Sequence, residues 1–179
     1  MADSLTPAGW PAWCRGRVPP AYVSAMRNVY KVLAYLVAAG VVVQAMAMVF
    51  AIAGMEKWIS EGGVLDKAVR ESPETPFPEV TGFIVHGING SIVIPALSLL
   101  LLVCSFFAKV PRSVRWAGLV FLLVIVQVNL GYAGPDIPAL GAVHGLNAIA
   151  LFTAALHTGR RTRAAATAPA PQPELTGAV

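Results

Sequence analysis

Residues 81–108 read TGFIVHGINGSIVIPALSLLLLVCSFFA, 28 positions without one Asp, Glu, Lys or Arg. A helix needs about 20 mostly apolar residues to cross the hydrocarbon layer of a membrane. An uncharged run of this length is too long and too apolar for the core helix of a small soluble domain. Three further stretches have the same character: Val29–Gly54, Val114–Ala133 and Ala139–Thr158. Composition agrees, since 56% of the 179 residues are hydrophobic and only 12% charged. A soluble domain carries about 45–50% apolar and roughly 25% charged residues. The expected fold is an all-α integral membrane protein, a four-transmembrane-helix bundle with spans at about 29–54, 81–108, 114–133 and 139–158. The expected organisation is a tail over 1–28, the bundle over 29–158, and a tail over 159–179 that is basic and then Pro/Ala-rich and disordered.

The few charges are sorted along the chain. Lys and Arg concentrate in cytoplasmic loops of membrane proteins. Ten of the thirteen basic residues lie before or just inside the first stretch, between the second and third, or after the fourth: Arg15, Arg17, Arg27, Lys31, Lys109, Arg112, Arg115, Arg160, Arg161 and Arg163. The loop from Met55 to Val80 holds six acidic residues against three basic ones, and the last loop holds only Asp136. Both termini are therefore expected in the cytoplasm, with the acidic loops outside. The first 28 residues contain no apolar stretch of the kind that precedes signal cleavage. Trp10 and Trp13, with the nearby arginines, suit either lipid headgroups or a solvated tail. Two cysteines, Cys14 and Cys104, exclude a disulfide scaffold. The surplus of basic residues is accounted for by sidedness, so no nucleic-acid partner is expected.

The second and fourth stretches carry the same motif. Val85-His86-Gly87-Ile88-Asn89-Gly90 matches Val143-His144-Gly145-Leu146-Asn147-Ala148 at four identities and two conservative pairs. Before each stands a helix with a mid-span glutamine, Gln44 in VVVQ and Gln127 in VIVQ. The chain thus reads as an internal repeat of two helix pairs. Each histidine falls about six residues inside its helix, roughly 9 Å at 1.5 Å per residue, so both sit at one depth. His157 lies near the opposite end and cannot join them.

An ionisable group inside a span is costly and is a functional hypothesis by default. Two imidazoles at equal depth on two helices suit the axial positions of a haem b iron, which the apolar bundle would shield. On that reading His86 and His144 are the ligands. Asn89, Asn147, Gln44 and Gln127 would hold the other ring nitrogen or the propionates, and Gly90 and Ala148 would give clearance, as would Gly82 and Gly141. The same polar residues equally suit plain interhelical hydrogen bonding. Copper is a third option through Met46, Met48 and Met55, although Met46 and Met48 are expected on different sides of their helix. Zinc is weaker, since no three-ligand cluster is visible.

The arrangement Gln127-x3-Gly131, Pro138 and His144-x2-Asn147-Ala148, following a helix pair with His86, resembles one half of the haem A synthase bundle. The likeness spans roughly residues 30–158. That family places haem-ligating histidines on the second and fourth helices of each half, which implies the same roles for His86 and His144. The family's catalytic half has a carboxylate three residues before a histidine, where this chain has Phe83 or Gly141. The likeness therefore implies haem binding rather than enzymatic haem modification. The chain also resembles a family of small uncharacterised four-span bacterial membrane proteins. That likeness rests on the first His motif, the Pro111-Arg112 turn, Gln127 and the His144-x2-Asn147-Ala148 helix. It implies the bacterial cytoplasmic membrane and no particular activity. The expected role is electron transfer, or haem sensing or handling, beside a redox or accessory partner or as a homo-oligomer. The alternative is a cofactor-free accessory or scaffold subunit.

Overall fold

The structure is a computed structural model that describes residues 19–167, with side chains described as far as Thr162. Trp10, Trp13, Cys14 and the end of the Pro/Ala tail lie outside the described residues. Six α-helices follow in order: α1 (Pro20–Ser60), a short α2 (Lys67–Glu71), α3 (Val80–Ile88), α4 (Ile94–Ser105), α5 (Ser113–Ala133) and α6 (Pro138–Thr167). A π-helical turn, Asn89–Val93, joins α3 to α4. There is no β-strand among the described residues.

Four of these units are long and apolar enough to cross a membrane: Pro20–Ser60, Val80–Ser105, Ser113–Ala133 and Pro138–Thr162. Large side chains such as Met46, Val49, Ile92, Leu146 and Ile149 project outward with 60–70% of their surface exposed. Such a surface is stable only in lipid, and the protein is a multi-pass membrane protein. Helix α1 begins nine residues before the expected span and ends six after it, and α6 continues through residue 167. At 41 residues α1 is about 60 Å long. Hydrogen bonding continues a helix past the hydrocarbon boundary, which hydropathy alone marks.

Local sequence explains where helices stop and bend. Pro20 occupies the first turn of α1, where no N–H is needed. Gly62, at φ +99, closes the other end: its N–H donates to the Ile59 carbonyl and that of Gly63 to the Trp58 carbonyl, both at 3.0 Å. The π turn is explained by Pro95, which has no N–H and whose ring would strike the Ser91 carbonyl in a regular helix. The chain widens instead, and the Ile94 N–H donates to the Asn89 carbonyl five residues back.

Around the bundle, α1 packs on α3, α4 and α6, and α5 packs on α4 and α6. The apolar core lies at the end where α1 begins and α6 finishes. There Tyr30, Ala34, Val37 and Ala38 meet Leu101, Ala117, Val120, Val124, Leu151 and Ala155, all buried. Small side chains bring these helices close, and Tyr35 lies across Gly159. Tyr30 Oη donates to the Ser113 carbonyl at 3.1 Å, and Ser113 Oγ to the Ser105 carbonyl at 2.8 Å. This is the closed end.

Toward the other end no residue of α5 beyond Val124 is buried, nor any residue of α6 before Leu151. Helix α3 there packs on α1, with Gly82 set against Ala47 and Ala51, and has no extended contact with α5. The pair α1/α3 thus separates from the pair α5/α6. The slot between them is the open end.

Candidate functional site

Four polar side chains stand at one level where the closed core gives way to the slot, one from each spanning unit. Gln44 comes from α1, His86 from α3, Gln127 from α5 and His144 from α6. The two imidazoles face each other with ring centroids 6.3 Å apart and planes inclined by 47°. A cavity of about 510 Å³ adjoins them, walled by Val41, Met46, Met48, Ile94, Val124, Leu151 and Phe152 among others. A second cavity of about 210 Å³ opens between the π turn and α5, past Gly87, Ser91, Gly131 and Tyr132. Both are lined by Gln44, His86, Gly90, Gln127, Val128 and His144, so the histidines stand between them.

Each histidine is held by the helix that precedes it in the chain. His86 Nδ1 lies 3.2 Å from the Gln44 carbonyl oxygen, and His144 Nδ1 lies 3.0 Å from the Gln127 carbonyl oxygen. A carbonyl only accepts, so Nδ1 carries the proton in both rings and Nε2 carries the lone pair. The asparagines do the same job one turn deeper. Asn89 Nδ2 donates to the Gly40 carbonyl and Asn147 Nδ2 to the Leu123 carbonyl, each at 3.0 Å. Gly40 and Leu123 stand four residues before Gln44 and Gln127 respectively. The two helix pairs therefore use the same two contacts at corresponding positions.

The glutamine side chains differ. Gln127 Nε2 lies 3.0 Å from His144 Nε2, and Gln127 Oε1 accepts from Asn147 Nδ2 at 2.6 Å. Every donor in this chain of bonds has an acceptor, which fixes the orientation of the Gln127 amide. Gln44 makes no such bond: its Oε1 is buried without a partner, and its carboxamide lies over Gly90. Nothing among the described residues bonds His86 Nε2.

Most of the expected site residues converge on this layer, with roles that differ in detail from the expectation. The ring N–H groups are held by backbone carbonyls, not by the Asn or Gln side chains. Gly90 and Ala148 line the cavity, whereas Gly82 serves helix packing and Gly141 faces open space. Met46, largely exposed, and Met48, half-buried, both border the cavity. His157 is remote, stacked on Trp116 at 4.3 Å with Arg161 beyond. No three His, Cys, Asp or Glu residues cluster as metal ligands among the described residues. Gly131, named in the sequence only as part of the Gln127-x3-Gly131 spacing, lies against the site, where a Cβ would stand 3.1 Å from His144 Cε1, and sequence reading missed the Ser91–Tyr132 hydroxyl pair at 3.1 Å. The signal for Gly131 was its place one turn after Gln127 on the same face.

Comparison with known proteins adds one finding. No curated protein and no solved structure matches the chain. Residues 77–133, which include His86, the π turn and Gln127, match the model of a family of unknown function (DUF6220).

Proposed function

We propose that this membrane protein binds one haem b, with His86 and His144 as its axial ligands. The observation that carries the reading is a pair of imidazoles with ring centroids 6.3 Å apart, each with its Nδ1 held by a backbone carbonyl. A metal–imidazole bond is about 2.0 Å, and the ring centre lies roughly another 1.1 Å behind the nitrogen. Two such imidazoles sharing one metal centre would have centroids about 6.2 Å apart, close to the spacing here. Metal-bound histidine characteristically donates its other N–H to a carbonyl or carboxylate, as both rings do here.

The surroundings also fit. The cavity falls in the size range of small-molecule sites, its walls are apolar, and Gly90 and Ala148 leave room beside the helices. A bound haem would supply one-electron chemistry at iron. The chain's own residues fix the ring tautomers, exclude water with Val124, Leu151 and Phe152, and present Gln44 and Gln127 to the edge of the site. The matching contacts of the two helix pairs support reading the bundle as a repeat with one ligand from each half. The charge distribution supports placing the closed, basic end in the cytoplasm of a bacterial cell and the histidine layer toward the outer leaflet. The role follows as electron transfer, or haem sensing or handling, beside a membrane partner or a second copy of the chain.

A second reading is favoured by one contact. Gln127 occupies the nitrogen of His144 that a metal would need, as it would in a cofactor-free scaffold whose polar layer only ties helices together. Absorbance of protein purified from haem-replete cells separates the two. The haem reading expects a Soret band and, on reduction, sharp α and β bands, all lost in His86→Ala and in His144→Ala. Colourless wild-type protein of normal helicity selects the scaffold.

A further inference from the structure

The two halves of the site present the same parts in two different states. In the second half Gln127 covers the lone pair of His144 Nε2 while Asn147 holds the far end of its amide. In the first half Asn89 is likewise bonded to α1, yet Gln44 has swung away over Gly90 and left its own Oε1 without a donor. Gly90 makes this position accessible: a side chain there would collide with the Gln44 amide. The corresponding residue of the other half is Ala148, which carries a Cβ where Gly90 has none.

We infer that Gln127 is a latch that masks the ligand nitrogen of His144, while His86 Nε2 is left uncovered. The two histidines are then unequal. An incoming electrophile or metal centre engages His86 first and reaches His144 only after the Gln127–His144 bond breaks. Asn147 is the positioning residue for the latch, because it fixes which end of the Gln127 amide faces the ring. As a statement about haem, this order of engagement rests on the function proposed above. As a statement about the imidazoles, it stands alone.

The test needs no haem. Diethyl pyrocarbonate is attacked by the imidazole lone pair. An N–C bond forms, ethyl carbonate leaves, and the proton on the ring's other nitrogen passes to solvent. In detergent-solubilised full-length protein, mass spectrometry of peptides should show His86 acylated about five-fold faster than His144, the worth of one neutral hydrogen bond. Gln127→Leu should bring His144 up to the rate of His86, and Asn147→Ala should move it in the same direction. Equal rates in the wild type overturn the latch, as does a ratio unchanged in both variants. Hemin titration then addresses the ligand: Gln127→Leu should bind about five-fold more tightly than wild type. Equal affinities would disconnect the latch from ligand binding. Failure of every form to bind hemin, with the acylation difference intact, removes the haem reading and leaves the latch.

Discussion

Gly82 and Gly90 lie two turns apart on one face of the same spanning unit and serve different ends. Gly82 is buried against the Ala47 carbonyl and the Ala51 side chain, so any larger residue must push α3 off α1. Gly90 meets only the mobile end of Gln44 and otherwise borders the cavity. Gly82→Leu is therefore expected to destabilise the fold, by roughly 1–3 kcal/mol as for other overpacked contacts, read as a lower melting temperature in detergent. Gly90→Leu should melt near the wild-type temperature and fail to hold pigment, because its side chain enters the slot. The opposite pattern would mean that the slot is not the binding volume. Both glycines stood out in the sequence as small residues one turn from His86. Only their different neighbours in space separate packing from clearance.

At the scale of the element, the π turn decides where His86 points. One extra residue in the turn rotates everything before it by about 100° relative to α4. With that rotation His86 reaches the Gln44 carbonyl while Gly82 settles on α1. Deleting Ile92, an exposed residue of the turn, together with Pro95→Ala to remove the clash, should let the helix run through in regular α geometry. The expected result is unchanged helicity by circular dichroism together with loss of the haem spectrum. Retention of the spectrum would show that the turn does not set the register of His86. Pro95 was visible in the sequence as a kink site, but a proline bends some helices and widens others. The outcome depends on what the neighbouring helix can accept.

For the whole molecule, the gradient from closed to open end matters most. Packing between the helix pairs is confined to one half, where alanine, serine and threonine bring the backbones together. The other half is held chiefly within each pair, with the Ser91–Tyr132 hydroxyl pair as a link between them. Amides of Ala34–Ala38 should therefore exchange with deuterium more slowly than those of Leu140–His144 in detergent, because exchange there needs no separation of the core. Equal protection along α6 would contradict the splayed open end. A site at the boundary between these halves has rigid walls on one side and a separable entrance on the other.

The number of spans, the membrane environment and the pairing of two His-x-x-Asn motifs were determined by the sequence itself. Hydrocarbon admits only long apolar helices, and charge is so scarce inside them that each polar residue stands out. Which atom bonds which could not be read that way. The carbonyls of Gln44 and Gln127 carry no side-chain signature, and the rotation and tilt of each helix are set by the small-residue core at the far end. The tertiary structure alone decided that both rings are protonated at Nδ1 and that a slot opens between the pairs. It also decided that two glutamines in matching sequence positions hold opposite states, one bonded to its histidine and the other set over Gly90.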